Sequence, residues 1–225
     1  MAVALSVPYA EGRAALVGAL GSFRAALGPL DDHALLAASR CWGWAVVDVV
    51  THVRLGLEEL AAGLLAGIER ETPTHDAATY WQTQPPAGGE VDGLLAVRRV
   101  AAATRTPRGA LGPLDRVCDA LVGGVERLPD RVLVFQGCAL ATGDLLATWA
   151  VELAVHQLDL GRDLDVARPH AGALALSRRT LEALLEAPLP VADDVDAVLL
   201  GTGRRTPTAA ERAGLGAAAA RLPVL

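Results

Sequence analysis

The chain has 225 residues, a net charge of −6, 52% apolar residues and 4% aromatic ones, enough for a sizeable core in one domain with an appendage or in two small domains. An acidic balance without basic runs excludes the electrostatic footprint of a nucleic-acid or anionic-membrane binder. Three cysteines without C-x-x-C spacing exclude a disulfide framework and a zinc–thiolate knuckle.

Met1 to Pro8 has no basic region, and Glu11 and Arg13 follow too soon for a signal peptide, so a cytoplasmic protein is expected. No run approaches the roughly 18 apolar residues needed to span a bilayer. Tyr9 to Leu27 carries Leu16, Leu20, Phe23 and Leu27 at helical spacing and is stopped by Gly28-Pro29. After a less regular stretch ending Cys41-Trp42-Gly43-Trp44, a second helix runs from about Ala45 to Ala66. Its stripe is Val46, Val49, Val50, Val53, Leu57, Leu60 and Leu64. Asp48 and His52 lie i, i+4 on one flank of that stripe, with Gly56 one turn further on. Glu71 to Gly89 is a long Thr-, Pro- and Gln-rich connection carrying Tyr80-Trp81, and loops of this length are usually lids or disordered. Helices are expected over Val91–Thr104 and Leu114–Leu128, and Arg131 to Phe135 reads as a short strand or an extended lead-in.

Leu145 to Leu160 is apolar nearly all the way round, the mark of a buried helix. Asp144 sits near its start, a plausible cap position. Into this helix the chain places Glu152 and His156, spaced i, i+4 so that their side chains point the same way. A carboxylate removed from water without a partner is costly, and a cation shared with an imidazole resolves the cost. The bland alternative is a helix with one wet edge, and for an isolated E-x-x-x-H that alternative is the stronger one. Further on, His170 to Glu186 reads as a helix. Two short helices follow, Ala192–Leu200 and Thr206–Leu222, the latter with a Thr208/Glu211 capping box. The expected fold is therefore all-α, with residues 1–166 as a bundle and 167–225 as a helical extension packed on it.

His52, Glu152 and His156 together are two imidazoles and one carboxylate, a set that leaves a coordination position open as catalytic zinc does. Asp48 and Asp159 are candidates to receive the outward N–H of the two rings. The pattern Trp44-x-x-x-Asp48-Val49-Val50-x-His52, followed about a hundred residues later by Glu152-Leu153-x-Val155-His156-x-x-Asp159, resembles the maleylpyruvate isomerase amino-terminal family. The likeness covers roughly Tyr9 to Leu164. It implies a DinB-like four-helix bundle whose positions matching His52, Glu152 and His156 bind a divalent metal, usually zinc, and whose best-known members use mycothiol as cofactor or co-substrate. Two departures stand out. Ala45 replaces the Thr or Ser that often caps the second helix, and the tail from about His170 is short and helical, so maleylpyruvate is not carried over as substrate.

A thiol bound to such a metal would be deprotonated near neutral pH, since coordination lowers a pKa that starts at about 8.5. The expected reaction is thiol addition to a small electrophile, leading to isomerisation or S-transfer. Alternatives are metal Lewis-acid chemistry without a thiol, a non-catalytic binding or sequestering protein, and a metal that only staples helices. Asp48 is the first candidate for general base, Arg162 and Arg168 for a substrate carboxylate, and Trp149 and Trp81 for pocket wall and lid. Trp42 and Trp44 are expected as packing anchors. Cys41 reads as a buried inert thiol or, less favoured, one activated at a helix start; His33, His75 and His170 read as solvated or capping residues. The partner is a small molecule, and the chain is expected to be a monomer or homodimer.

Overall fold

The computed structural model describes residues 3–84 and 91–225. The elements are α1 (Tyr9–Leu27), α2 (Asp32–Leu35), α3 (Val46–Ala66), α4 (Val91–Ala102), α5 (Leu111–Val125), β1 (Val132–Phe135), β2 (Cys138–Ala141), α6 (Thr142–Leu160), α7 (Ala171–Leu185), α8 (Asp194–Gly201) and α9 (Ala209–Leu215). Short 3-10 turns cover Thr79–Thr83, Pro107–Ala110 and Gly216–Arg221. The fold is all-α, a helical bundle with one small hairpin among the described residues. Residues 85–89 of the long connection lie outside the described residues. Among the described residues no helix is long and apolar enough to cross a membrane.

Helix α6 is the axis of the molecule because its sequence leaves no polar face to give to water. Every residue from Thr142 to Leu160 is buried except Glu152 and Leu158. It packs against α1, α3, α7, α8 and both strands. The closest of these contacts is with α1, where the two backbones meet at glycines. A Cβ on Gly12 would lie 2.2 Å from the Gly143 carbonyl oxygen, and one on Gly143 would lie 2.1 Å from the Val7 oxygen. Asp144 does not cap α6; its carboxylate instead accepts the Val7 N–H at 2.6 Å, tying the lead-in of α1 to the same end of α6. The helix start it was expected to serve falls three residues earlier than the apolar pattern suggests.

In α3 the predicted stripe is buried from Val46 to Leu60, and Leu64 is partly so. Gly67 ends the helix at φ 58, the left-handed conformation that glycine adopts without a Cβ penalty. Arg131–Phe135 resolves into β1, which pairs antiparallel with β2 in the register Val132↔Ala141 to Phe135↔Cys138. Gln136 and Gly137 turn the hairpin with φ of 48 and 79, as a two-residue hairpin loop requires. β2 escaped the sequence reading because Cys138-Ala139-Leu140-Ala141 has no β-branched residue.

The tail is helical as expected, in shorter pieces. Glu211 and Thr208 form the predicted capping box, with Glu211 N–H on Thr208 Oγ1 at 3.2 Å and Thr208 N–H on Glu211 Oε2 at 2.7 Å. α7 packs on α6 and α1, α8 packs on α7 and α6, and one hydrophobic core runs from Val7 through Leu174, Leu181 and Val198 to Ala218.

Candidate metal centre

The site forms where α3 crosses α6. Helical spacing puts Glu152 and His156 on one side of α6, and His52 reaches them from the flank of α3. Glu152 Oε1 lies 3.3 Å from His52 Nε2 and 3.1 Å from His156 Nε2. The two imidazole rings stand edge to face with centroids 4.9 Å apart. Trp44 backs His52 from the other side at 5.0 Å, its own indole N–H held by the Leu94 carbonyl. One ligand atom from each of His52, Glu152 and His156 lies within 4.8 Å of the other two.

The donor set suits a divalent cation. Two nitrogens and one carboxylate oxygen converge, and among the described residues Glu152 hydrogen-bonds only to the two imidazoles. The second nitrogen of His156 is already engaged: Nδ1 lies 2.9 Å from Asp159 Oδ2. That contact fixes the ring with Nε2 toward Glu152, the orientation a metal-ligating histidine needs. Electrostatics follow the same geometry. Burial opposes charge on Glu152, yet His156 and then His52 hold its carboxyl well below the usual range. Burial likewise opposes the imidazolium of His156, but Glu152 foremost, with Asp159 and Cys41, holds its pKa well above the ordinary histidine value.

Asp159 sits where the spacing placed it, and it is fully buried. Among the described contacts Asp48 makes no hydrogen bond to His52. Its Oδ2 accepts the Ala45 N–H at 2.9 Å, so the carboxylate closes the start of α3, where Ala45 has no side chain to cap with. The residue expected as general base thus serves the helix terminus through Oδ2. Trp149 is buried one turn before Glu152, edge-on to Phe135 at 6.0 Å and against the open side of Gly56. Trp81 is half-buried in the 3-10 turn of the long connection. Trp42 is no packing anchor, being 79% exposed. Cys41 is neither deeply buried nor at the α3 start; its thiol donates to Asp159 Oδ2 at 3.1 Å and lies 3.9 Å from His156 Nδ1. Arg168 pairs with Asp193 and Arg162 reaches the Ser39 carbonyl, so neither is bonded to the triad. His33 is exposed, His75 contacts Thr74, and His170 stands at the N-cap position of α7 without a side-chain cap hydrogen bond.

Two residues near the site escaped the sequence reading. Tyr80 is buried, its hydroxyl donates to Gln136 at 2.7 Å, and burial first, then the charge of Glu152, push its phenol upward. Arg204 makes a fork onto Asp159, with Nε on Oδ1 at 2.6 Å and Nη2 on Oδ2 at 2.8 Å. The one sequence feature that asks for such a partner is Asp159 on an all-round apolar helix, whose charge needs more compensation than one imidazole, but it does not say which cation supplies it.

Residues 17–161 match the family described as the mycothiol maleylpyruvate isomerase N-terminal domain. The chain belongs to this family. The matched span includes His52, Glu152, His156 and Asp159, and stops short of Arg204. Two solved structures are similar in fold: a crystal structure of the mycothiol-dependent maleylpyruvate isomerase and one of a histidine-to-alanine mutant of it. Each is 14% identical, with a TM-score of 0.57, covering 80% of this chain and 70% of that one. No curated protein matches.

Proposed function

We propose that this member of the maleylpyruvate isomerase family is a metal- and thiol-dependent enzyme acting on a small electrophilic substrate, by isomerisation or S-transfer. The observation that carries the reading is the convergence of His52 Nε2 and His156 Nε2 on one oxygen of Glu152, within 3.3 Å. His52, Glu152 and His156 would hold a divalent metal, zinc by the donor types, and the family and the fold relatives make mycothiol the first thiol to test. A metal bound there would lower the pKa of an incoming thiol, supplying a thiolate near neutral pH.

The chain's own residues prepare that place. Asp159 receives the Nδ1–H of His156, so Nε2 faces the site. Glu152 stays ionised between two imidazoles. Trp44 packs against His52 and limits the swing of its ring. The reacting substrate requires an activated double bond or an electrophilic carbon: addition of the thiolate, rotation and elimination give isomerisation, and addition or displacement without elimination gives transfer.

Elemental analysis of the purified protein, followed by assays with mycothiol and a panel of cis-enoates, including maleylpyruvate, and alkylating electrophiles, tests the proposal. Turnover that needs both metal and thiol is expected. A protein that binds metal and mycothiol yet turns over no member of the panel would refute catalysis and leave a binding protein.

A further inference from the structure

Asp159 is the most heavily bonded carboxylate near the site. It is buried, and its two oxygens receive His156 Nδ1 at 2.9 Å, Cys41 Sγ at 3.1 Å, and Arg204 through Nε at 2.6 Å and Nη2 at 2.8 Å. Of these donors only Arg204 grips both oxygens. Its guanidinium is itself mostly removed from water, with 16% of the side chain exposed against none of Asp159. A fork of this kind fixes the plane of a carboxylate, which a single-point donor does not.

Arg204 does not arrive by chance of a free tail. It follows α8, whose last glycine, Gly201, accepts the Val224 N–H at 2.9 Å. Gly203 stands at φ 70 with Pro223 packed against it, so close that a Cβ there would lie 2.9 Å from the proline ring. The segment of residues 222–225 therefore clamps the turn that presents Arg204. The chain spends an ordered tail on placing one guanidinium against one buried carboxylate.

We propose that Arg204 is a positioning residue of the metal centre: by locking the plane of Asp159 it fixes the His156 ring, and so sets how tightly the site holds its metal. The inference rests on the metal reading given above. Without the fork, Asp159 is free to turn toward Cys41 and give up its bond to the imidazole, and His156 loses the hydrogen bond that aims Nε2. Hydrogen-bond partners of ligating histidines typically change metal affinity 10- to 100-fold when removed.

The test is zinc affinity, measured in the full-length protein by competition with a chromophoric chelator, for wild type, Arg204→Met, Arg204→Lys, Asp159→Asn and the Arg204→Met/Asp159→Asn double variant. Arg204→Met is expected to weaken zinc binding about 10- to 100-fold, and Arg204→Lys, which keeps the charge but loses the fork, by several-fold. In the Asp159→Asn background the Arg204→Met change is expected to add little, because its route to the metal is already cut. A merely structural arginine would lower Tm in both backgrounds and leave the zinc affinity of the folded protein unchanged. Wild-type affinity in Arg204→Met, or an equal loss in both backgrounds, would overturn the assignment while leaving the metal site standing. If Arg204→Met does not fold, unchanged affinity in Arg204→Lys overturns it. Should the wild type bind no zinc, the metal reading itself falls, and this inference with it.

Discussion

His156 and Asp159 stand one turn apart on α6, joined by a 2.9 Å bond from Nδ1 to Oδ2 that is closed off from water. This single contact decides which nitrogen of the imidazole is left for the site. It also makes His156 the residue on which both sides of the centre meet, with Glu152 at Nε2 and Asp159 and Cys41 at Nδ1.

Removing that ring should remove the metal. His156→Ala leaves one imidazole and one carboxylate on different helices, too few donors to hold a divalent ion through dialysis. Metal content by elemental analysis should fall from one equivalent to near zero, with the helical circular dichroism signal retained. Unchanged stoichiometry in the folded variant would rule out the triad.

Metal binding should release a proton near neutral pH. Glu152 and Asp159 hold the pKa of His156 well above its ordinary value of 6.5 in the metal-free protein, so the ring is charged at pH 7 and must lose a proton before Nε2 can coordinate. Calorimetry of zinc binding in buffers of different ionisation enthalpy should show about one proton released. For the metal-free protein the sign is that of a raised histidine: the stabilisation is complete below the unfolded pKa and is lost as pH rises through the folded one. A release of zero at pH 7 would contradict the charged ring.

Asp144 predicts the opposite kind of pH profile from an ordinary surface carboxylate. Burial pushes its pKa up to about 6, against the Val7 N–H that favours the ionised form. Between the unfolded value of 3.8 and the folded value the native state holds the extra proton, so this residue's contribution to stability is greatest at low pH and declines as pH rises through about 6. Asp144→Asn keeps an oxygen for Val7 and removes the titration. Chemical denaturation from pH 4 to 8 should show a flatter profile for the variant and a relative gain above pH 6; parallel curves would refute the shift.

The glycine contact between α1 and α6 should tolerate no side chain. A methyl on Gly143 would fall 2.1 Å from a backbone oxygen rather than a movable side chain, so the two helices must separate. Overpacking of this kind typically costs 1–3 kcal/mol or more. Gly143→Ala should lower the denaturation midpoint accordingly, whereas Gly124→Ala, whose Cβ meets nothing within 4 Å, should be neutral or slightly stabilising in its helix.

Much of this architecture was legible before any coordinates. Periodicity located α1, α3 and α6, because those helices bury continuous apolar stripes, and the all-round apolarity of α6 marked it as central. The spacing of Glu152, His156 and Asp159 gave their common face directly, since three- and four-residue steps are geometric. Asp48 shows where such reasoning fails: the same four-residue spacing to His52 held, but the unfilled N–H of Ala45 competed for the carboxylate and took it. Arg204 and Tyr80 were hidden for another reason. Their partners lie 45 and 56 residues away in sequence, and no local pattern encodes a contact that only tertiary packing creates. Trp42 was misjudged because a large aromatic side chain is taken as core by default, while the loop at 40–44 turns it outward.

The forked contact between Arg204 and Asp159 also limits what can be transplanted. The stretch that matches the family stops at residue 161, so a graft or truncation drawn at that border would carry Asp159 away from the guanidinium that neutralises it. If Arg204 positions the centre as proposed, a fragment that keeps the buried Asp159 compensated extends past α8 and keeps the residues that brace its last turn, or supplies a new cation in their stead.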